Sequence, residues 1–95
     1  MDRREAYKEK TEAQLRELEA EIQKLDANVD RLQAEAKLEA SRQLETTRAK
    51  YNEVQAQLQE LKGASEDAWE DLRVGIDGAL TELKTSINLA ASKFE

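Results

Sequence analysis

The stretch LRELEAEIQKLDANVDRLQAEA, residues 15–36, decides the fold. Its seam members are Leu15, Leu18, Ile22, Leu25, Val29, Leu32 and Ala36, spaced alternately three and four residues apart. That spacing is a heptad repeat, which lines one side of an α-helix with a narrow apolar seam. The residues between are mostly Glu, Lys, Arg, Gln and Asp, which favour helix and keep the opposite side in water.

Working outward, the pattern extends in both directions. Towards the N-terminus, Asp2 is an N-cap candidate, and Glu5 stands three residues on, the spacing of a capping box. From Arg3 to Lys62 the chain holds neither Gly nor Pro. An unbroken helix of that length would measure roughly 90 Å at 1.5 Å per residue. Towards the C-terminus the seam runs on through Ala40, Leu44, Thr47, Tyr51, Val54, Leu58 and Leu61. Around Ala36, Ala40, Leu44 and Thr47 the step becomes four, four, three, a stutter that locally unwinds a supercoil.

The first stop signal is Lys62-Gly63-Ala64-Ser65. Gly63 suits the left-handed position that ends many helices, and Ser65 suits the N-cap of the next. Glu66 and Asp67 then fall in a first turn, where the helix dipole favours negative charge. A second helix over 66–94 carries Trp69, Leu72, Ile76, Ala79, Leu83, Ile87, Ala90 and Phe94 on one stripe. Gly75 and Gly78 weaken it and mark either a kink or a close helix contact. Folded back antiparallel, Trp69 meets Leu61, Leu72 meets Leu58, Ile76 meets Val54, Ala79 meets Tyr51 and Leu83 meets Thr47. Beyond these, Ile87 meets Leu44, Ala90 meets Ala40 and Phe94 meets Ala36. Large side chains often face small ones, as interdigitating layers require.

The expected architecture is therefore an all-α helical hairpin in a single unit over residues 1–95: a long helix 3–62, a turn 63–65 and a shorter antiparallel helix 66–94. The second helix reaches back only to about Ala36. On this reading Leu15, Leu18, Ile22, Leu25, Val29 and Leu32 have no cover within the chain and form a self-association seam, and the chain pairs into a homodimeric bundle. Leu38, Leu80, Leu89 and Ala91 lie off the minimal stripes and suggest contacts among more than two helices. Two other architectures compete. A single rod needs Gly63 to be bridged. A three-helix bundle needs a turn within Asn28 to Ala36, where Asn28 and Asp30 occur but no Gly or Pro.

Composition narrows function. The chain contains no His and no Cys, which withholds the usual general base, thiol nucleophile and imidazole or thiolate ligand. No enzyme activity, cofactor or metal is expected. Glu66, Asp67, Glu70 and Asp71 are helix-start charge rather than a cation site, since Ca²⁺ needs oxygens converging from a loop. The net charge of −6 argues against nucleic acid, which is bound through clustered Lys and Arg. Arg3, Arg4, Lys8 and Lys10 are interleaved with Asp2, Glu5, Glu9 and Glu12 and read as a solvated helix face. Residues 76–94 are amphipathic, but Lys84 and Lys93 stand against Asp77, Glu82 and Glu95, too few cations for a typical interfacial helix. Trp69 reads as a core plug beside the turn, Tyr51 as a seam residue and Tyr7 as exposed. The N-terminus lacks an apolar signal segment, and a cytoplasmic location is expected.

The opening Met1-Asp2-Arg3-Arg4-Glu5-Ala6-Tyr7, the heptads Leu15 to Leu25, the block Glu66-Asp67-Ala68-Trp69-Glu70-Asp71-Leu72 and the closing Ala90-Ala91-Ser92-Lys93-Phe94 together resemble the small, acidic, uncharacterised coiled-coil proteins of bacteria, cyanobacterial ones included. The resemblance spans nearly the whole chain. It implies a cytoplasmic helical protein and carries no catalytic residue across. Gly75 and Gly78 depart from the more Ala-rich pattern of such proteins. The function expected is a non-enzymatic coiled-coil structural or protein-interaction module. The alternatives are a peripheral lipid-binding helical protein and a regulatory binder of another helical protein.

Overall fold

The computed structural model describes residues 2–94; Met1 of the opening block and Glu95 of the acidic C-terminal count lie outside the described residues. The described residues are all-α, with three helices: α1 (Arg3–Val29), α2 (Ala34–Lys62) and α3 (Glu66–Lys93). The expected continuous helix 3–62 is thus two helices, and the expected hairpin is a three-helix arrangement. The described residues extend 50 × 20 × 17 Å, far shorter than the roughly 90 Å of an unbroken first helix.

The physical reason is the apolar stripe of α1. Leu15, Leu18, Ile22, Leu25 and Val29 are all buried within this one chain, Ile22 with only 1% of its surface exposed. At roughly 1.5–3 kcal/mol per buried aliphatic side chain, these five contribute about 8–15 kcal/mol, an upper bound because the unfolded chain is itself partly compact. Breaking the helix over a few residues costs much less. The break needs neither Gly nor Pro. The N–H groups of Arg31 and Leu32 donate to the carbonyls of Asn28 and Val29 at 3.1 and 3.0 Å. These tight i→i+3 bonds end α1, and Gln33 then turns extended, at φ −72° and ψ 161°. No side chain of Gln33 caps α2, so this joint lacks the stabilisation of about 0.5–2 kcal/mol that a Ser or Asp cap supplies.

The other helix ends are better made. The Asp2 carboxylate accepts from the Glu5 N–H at 2.8 Å, and the Ser65 hydroxyl accepts from the Ala68 N–H at 3.3 Å. Gly63 departs from expectation. It sits at φ −103° and ψ 5° rather than in the left-handed region, because Gly63 and Ala64 close the last turn with i→i+3 bonds to Glu60 and Leu61.

Edge contacts give the helix directions. Glu39 near the start of α2 pairs with Lys93 near the end of α3, and Lys50 pairs with Glu82. Glu12 of α1 approaches Lys62, and Asp26 approaches Arg48. Both α1 and α3 therefore run antiparallel to α2. Leu44, Val54, Leu58 and Leu61 of α2 and Ile76, Leu80, Leu83, Ile87 and Ala90 of α3 join the α1 stripe in one core. The wide apolar side of α3 is thereby accounted for: Leu80 is buried and Ala91 partly so, each packed in that core. Leu38 and Leu89 remain exposed, as does Val74.

α3 passes through Gly75 and Gly78 without a break. A Cβ placed on either glycine meets nothing within 4 Å. Gly75→Ala and Gly78→Ala should each stabilise the protein by about 1 kcal/mol, the helix-propensity difference, measured by urea denaturation. Ile22→Ala should cost about 2–5 kcal/mol. A loss near zero in a monomeric sample would mean that the α1 stripe is bare.

Candidate functional site

The structure places the residues of the expected self-association seam under intramolecular cover. Leu15, Leu18, Ile22, Leu25 and Val29 are buried and Leu32 is half-buried. They form the inner face of α1, opposite a surface made by α2 and α3. This helix-binding surface is the candidate functional site, and α1 is its occupant. Of the hairpin residues, Leu44, Val54, Leu58, Leu61, Trp69, Ile76, Leu83, Ile87 and Phe94 are buried, while Tyr51 and Leu72 are partly buried against the same core. Ser65 caps α3, and Gly63 occupies the turn before it.

Polar side chains fix the register. In the α2–α3 interface, Thr47 and Ser86 are buried. Their hydroxyls lie 2.6 Å apart. Thr47 donates to the Gln43 carbonyl at 2.9 Å, and the Gln43 side-chain amide donates to the Ser86 hydroxyl at 3.3 Å. With Ser86 as donor to Thr47, every hydroxyl proton is used and the group closes on itself. A one-turn slip of α3 would take Ser86 away from both Gln43 and Thr47, and a buried hydroxyl left without such partners costs about 1–3 kcal/mol, whereas the Thr47 bond to Gln43 lies within α2 and would survive.

Two tyrosines tie α1 to the other helices. The Tyr7 hydroxyl donates to the Asp77 carboxylate at 2.7 Å and lies 3.3 Å from the Arg73 carbonyl oxygen. Arg73 in turn reaches Glu70 at 2.9 Å and Asp77 at 3.2 Å. The Tyr51 hydroxyl donates to Glu19 at 3.2 Å. Burial, followed by the Asp77 carboxylate, pushes the Tyr7 hydroxyl well above the usual phenol range. Burial and then Glu19 raise that of Tyr51.

The turn end of the bundle is closed by Trp69. Its ring meets Tyr7 edge to face, at 6.0 Å between centroids and 72°. The guanidinium groups of Arg3 and Arg4 lie 5.9 and 6.0 Å from it. Arg4 also donates to the Ala64 carbonyl at 2.9 Å. So Tyr7 is half-buried rather than exposed, and part of the basic opening cluster covers an aromatic ring instead of lying wholly in solvent.

Sequence reasoning passed over Thr11, which is 1% exposed. It stands four residues before Leu15, so the heptad spacing itself extends to it. Ser86 was passed over because a lone hydroxyl beside Ile87 gives no periodic signal. Among the described residues, no group of three or more His, Cys, Asp or Glu side chains is arranged to hold a metal ion. No described helix is long and apolar enough to cross a membrane. In comparisons with known proteins, no family model matches the chain, and no curated protein or solved structure matches it.

The raised tyrosine values carry a sign. The folded state favours the protonated phenol, so the stability they confer is fully present below about pH 10, the ordinary phenol value, and is lost as pH rises through their folded values. Spectrophotometric titration should show tyrosine ionisation delayed above pH 10 and coincident with loss of helix. Tyr7→Phe should lower stability by about 1 kcal/mol at neutral pH and weaken this alkaline dependence.

Proposed function

We propose that this chain is a non-enzymatic helical interaction module, whose working part is the surface of α2 and α3 that binds a heptad-patterned amphipathic helix. The observation that carries this reading is the way α1 is held. Its apolar contact is a heptad stripe of Leu, Ile and Val, the pattern by which helices pack side by side in coiled coils. Its edge contacts include Glu12–Lys62, Asp26–Arg48 and Tyr51–Glu19, all on exposed or partly exposed side chains. Exposed ion pairs of this kind are worth only about 0–1 kcal/mol each. Apolar pattern supplies the affinity, and a few polar contacts supply the register.

The sequence composition fits the same role. A chain without His or Cys has few means of acid–base or nucleophilic chemistry, and its charges are spread along helix exteriors. Structural or scaffold duty, with the partner an amphipathic helix from this or another protein, is the function best supported.

A labelled peptide of residues 3–29 tests this directly. The full-length chain should capture it in fluorescence anisotropy, in competition with its own α1. A peptide of the same composition with the heptad order scrambled should be ignored. Failure to capture either peptide, even under mild urea that loosens α1, would sink the reading.

A further inference from the structure

We infer that the helix-binding surface takes α1 from a second copy of this chain, by straightening of the joint between α1 and α2 into one long helix. The inference rests on the interaction module proposed above and names its partner.

The two joints of the protein are built differently. The second has Gly63 and a capping Ser65. The first, Asp30 to Gln33, has no Gly, no Pro and no capping side chain. Asp30 is already in right-handed helical geometry, at φ −62° and ψ −18°. Gln33 departs from helix chiefly in ψ, at 161°. Rotation near this residue would restore a continuous helix and supply backbone partners to groups now left at the end of α1 and the start of α2. Of these side chains, Leu32 packs partly against the core and Asp30 holds one long, exposed ion pair with Lys37 at 3.9 Å, so the resistance they offer is small.

Straightening lifts α1 off its own α2 and α3. The surface it uncovers fits α1 in shape and charge, and the second copy's α1 brings the same stripe with Glu12, Glu19 and Asp26 for Lys62, Tyr51 and Arg48. An exchanged pair therefore reuses the contacts of the closed chain. The register of those three contacts, carried through a straight joint, places the two-fold axis near Ala36. Two copies of Ala36 then face each other, and a small side chain at an axis allows close approach. Ala36 is exposed and Leu32 half-buried in the closed chain. Both stand on the continuous heptad; in the exchanged form Ala36 gains cover and Leu32 adds to the partial cover it already has. Leaving the closed form first exposes the five aliphatics of α1, so exchange is slow in native buffer and is best seen on refolding.

Ala34→Pro separates the two forms. Ala34 is the first residue of α2, after an extended Gln33. Pro is favoured at such a position, and an extended residue before it is what Pro requires. The closed chain accepts the change, whereas a continuous helix loses a hydrogen bond and gains a clash. Wild-type chain refolded from urea at millimolar concentration should give a dimer by light scattering, with the monomer's helical circular dichroism and slow return on dilution. Under the same conditions Ala34→Pro should show a dimer-to-monomer ratio lower by at least roughly 100-fold, the factor a proline imposes inside a helix. The double variant Asp30→Ala, Gln33→Ala should raise the ratio above wild type, and it serves should Ala34→Pro fail to fold. Co-refolded Glu19→Cys and Gln55→Cys chains should cross-link to each other on oxidation. A wild type that stays monomeric, an Ala34→Pro dimer of equal yield, a dimer without that cross-link, or opening only onto anionic phospholipid vesicles overturns the inference. Capture of the 3–29 peptide in any of those cases leaves the interaction module standing.

Discussion

The structure depends on one burial: the α1 stripe of Leu15, Leu18, Ile22, Leu25 and Val29 against α2 and α3. Without it α2 and α3 would still have a shared seam, but Ile76, Leu80, Leu83 and Ile87 on α3 make a face wider than one neighbouring helix can cover. The third helix completes that cover. It also lets a chain with 38% charged residues assemble a core, because three helices meeting along one line need only a few apolar residues from each. The remaining surface is left largely to charged and polar side chains.

Interdigitation of large and small side chains favours one register, and buried or edge polar groups sharpen that choice. In the α2–α3 contact the Gln43, Thr47 and Ser86 group does so, since the Ser86 hydroxyl meets both Gln43 and Thr47 at one offset only. In the α1 contacts the tyrosines take that part, each with its ring against the core and its hydroxyl at the edge. The turn end carries the further lock of Trp69 under Tyr7, Arg3 and Arg4. The opposite end, at Asp30 to Gln33, has a single long ion pair, Lys37–Asp30 at 3.9 Å, between largely exposed side chains. The two ends of α1 are thus unequal: its start is pinned by aromatic packing and a cap, its end by little beyond the aliphatic stripe, although Phe94 is buried at that end of the bundle and Lys93 pairs there with Glu39.

This inequality explains how far the sequence could be read. The helical class, Gly63 to Ser65 as a joint and the apolar residues of α2 and α3 are legible because each has a local signal: periodicity, a helix stop or a cap. The first joint has none. Residues 29–36 continue the heptad through Val29, Leu32 and Ala36, and every side chain from Asp30 to Gln33 is acceptable in a helix. The break is imposed by tertiary burial, which overrides local preference. Asn28 and Asp30 are weak hints, and neither serves as the cap of α2, the place filled by Gln33. The roles of Arg3, Arg4 and Tyr7 were hidden for a related reason. Their partners Ala64, Trp69, Arg73 and Asp77 are remote in sequence, and come within reach only once α1 has folded back.

A turn set by tertiary contacts alone is conditional on those contacts. Where Gly or Pro builds a turn, the chain bends whether or not its arms touch, because the backbone itself prefers the bend. Between α1 and α2 the backbone prefers to continue, and only the chain's own apolar surface, held at high effective concentration by a short connection, makes bending the better solution. Raising the concentration of other copies, or straightening the joint by substitution, works against that advantage with no loss of apolar contact. On the exchange inferred above, closed and extended forms of this chain would differ mainly in whose α1 lies in the groove, and the four residues from Asp30 to Gln33 would set the balance between them.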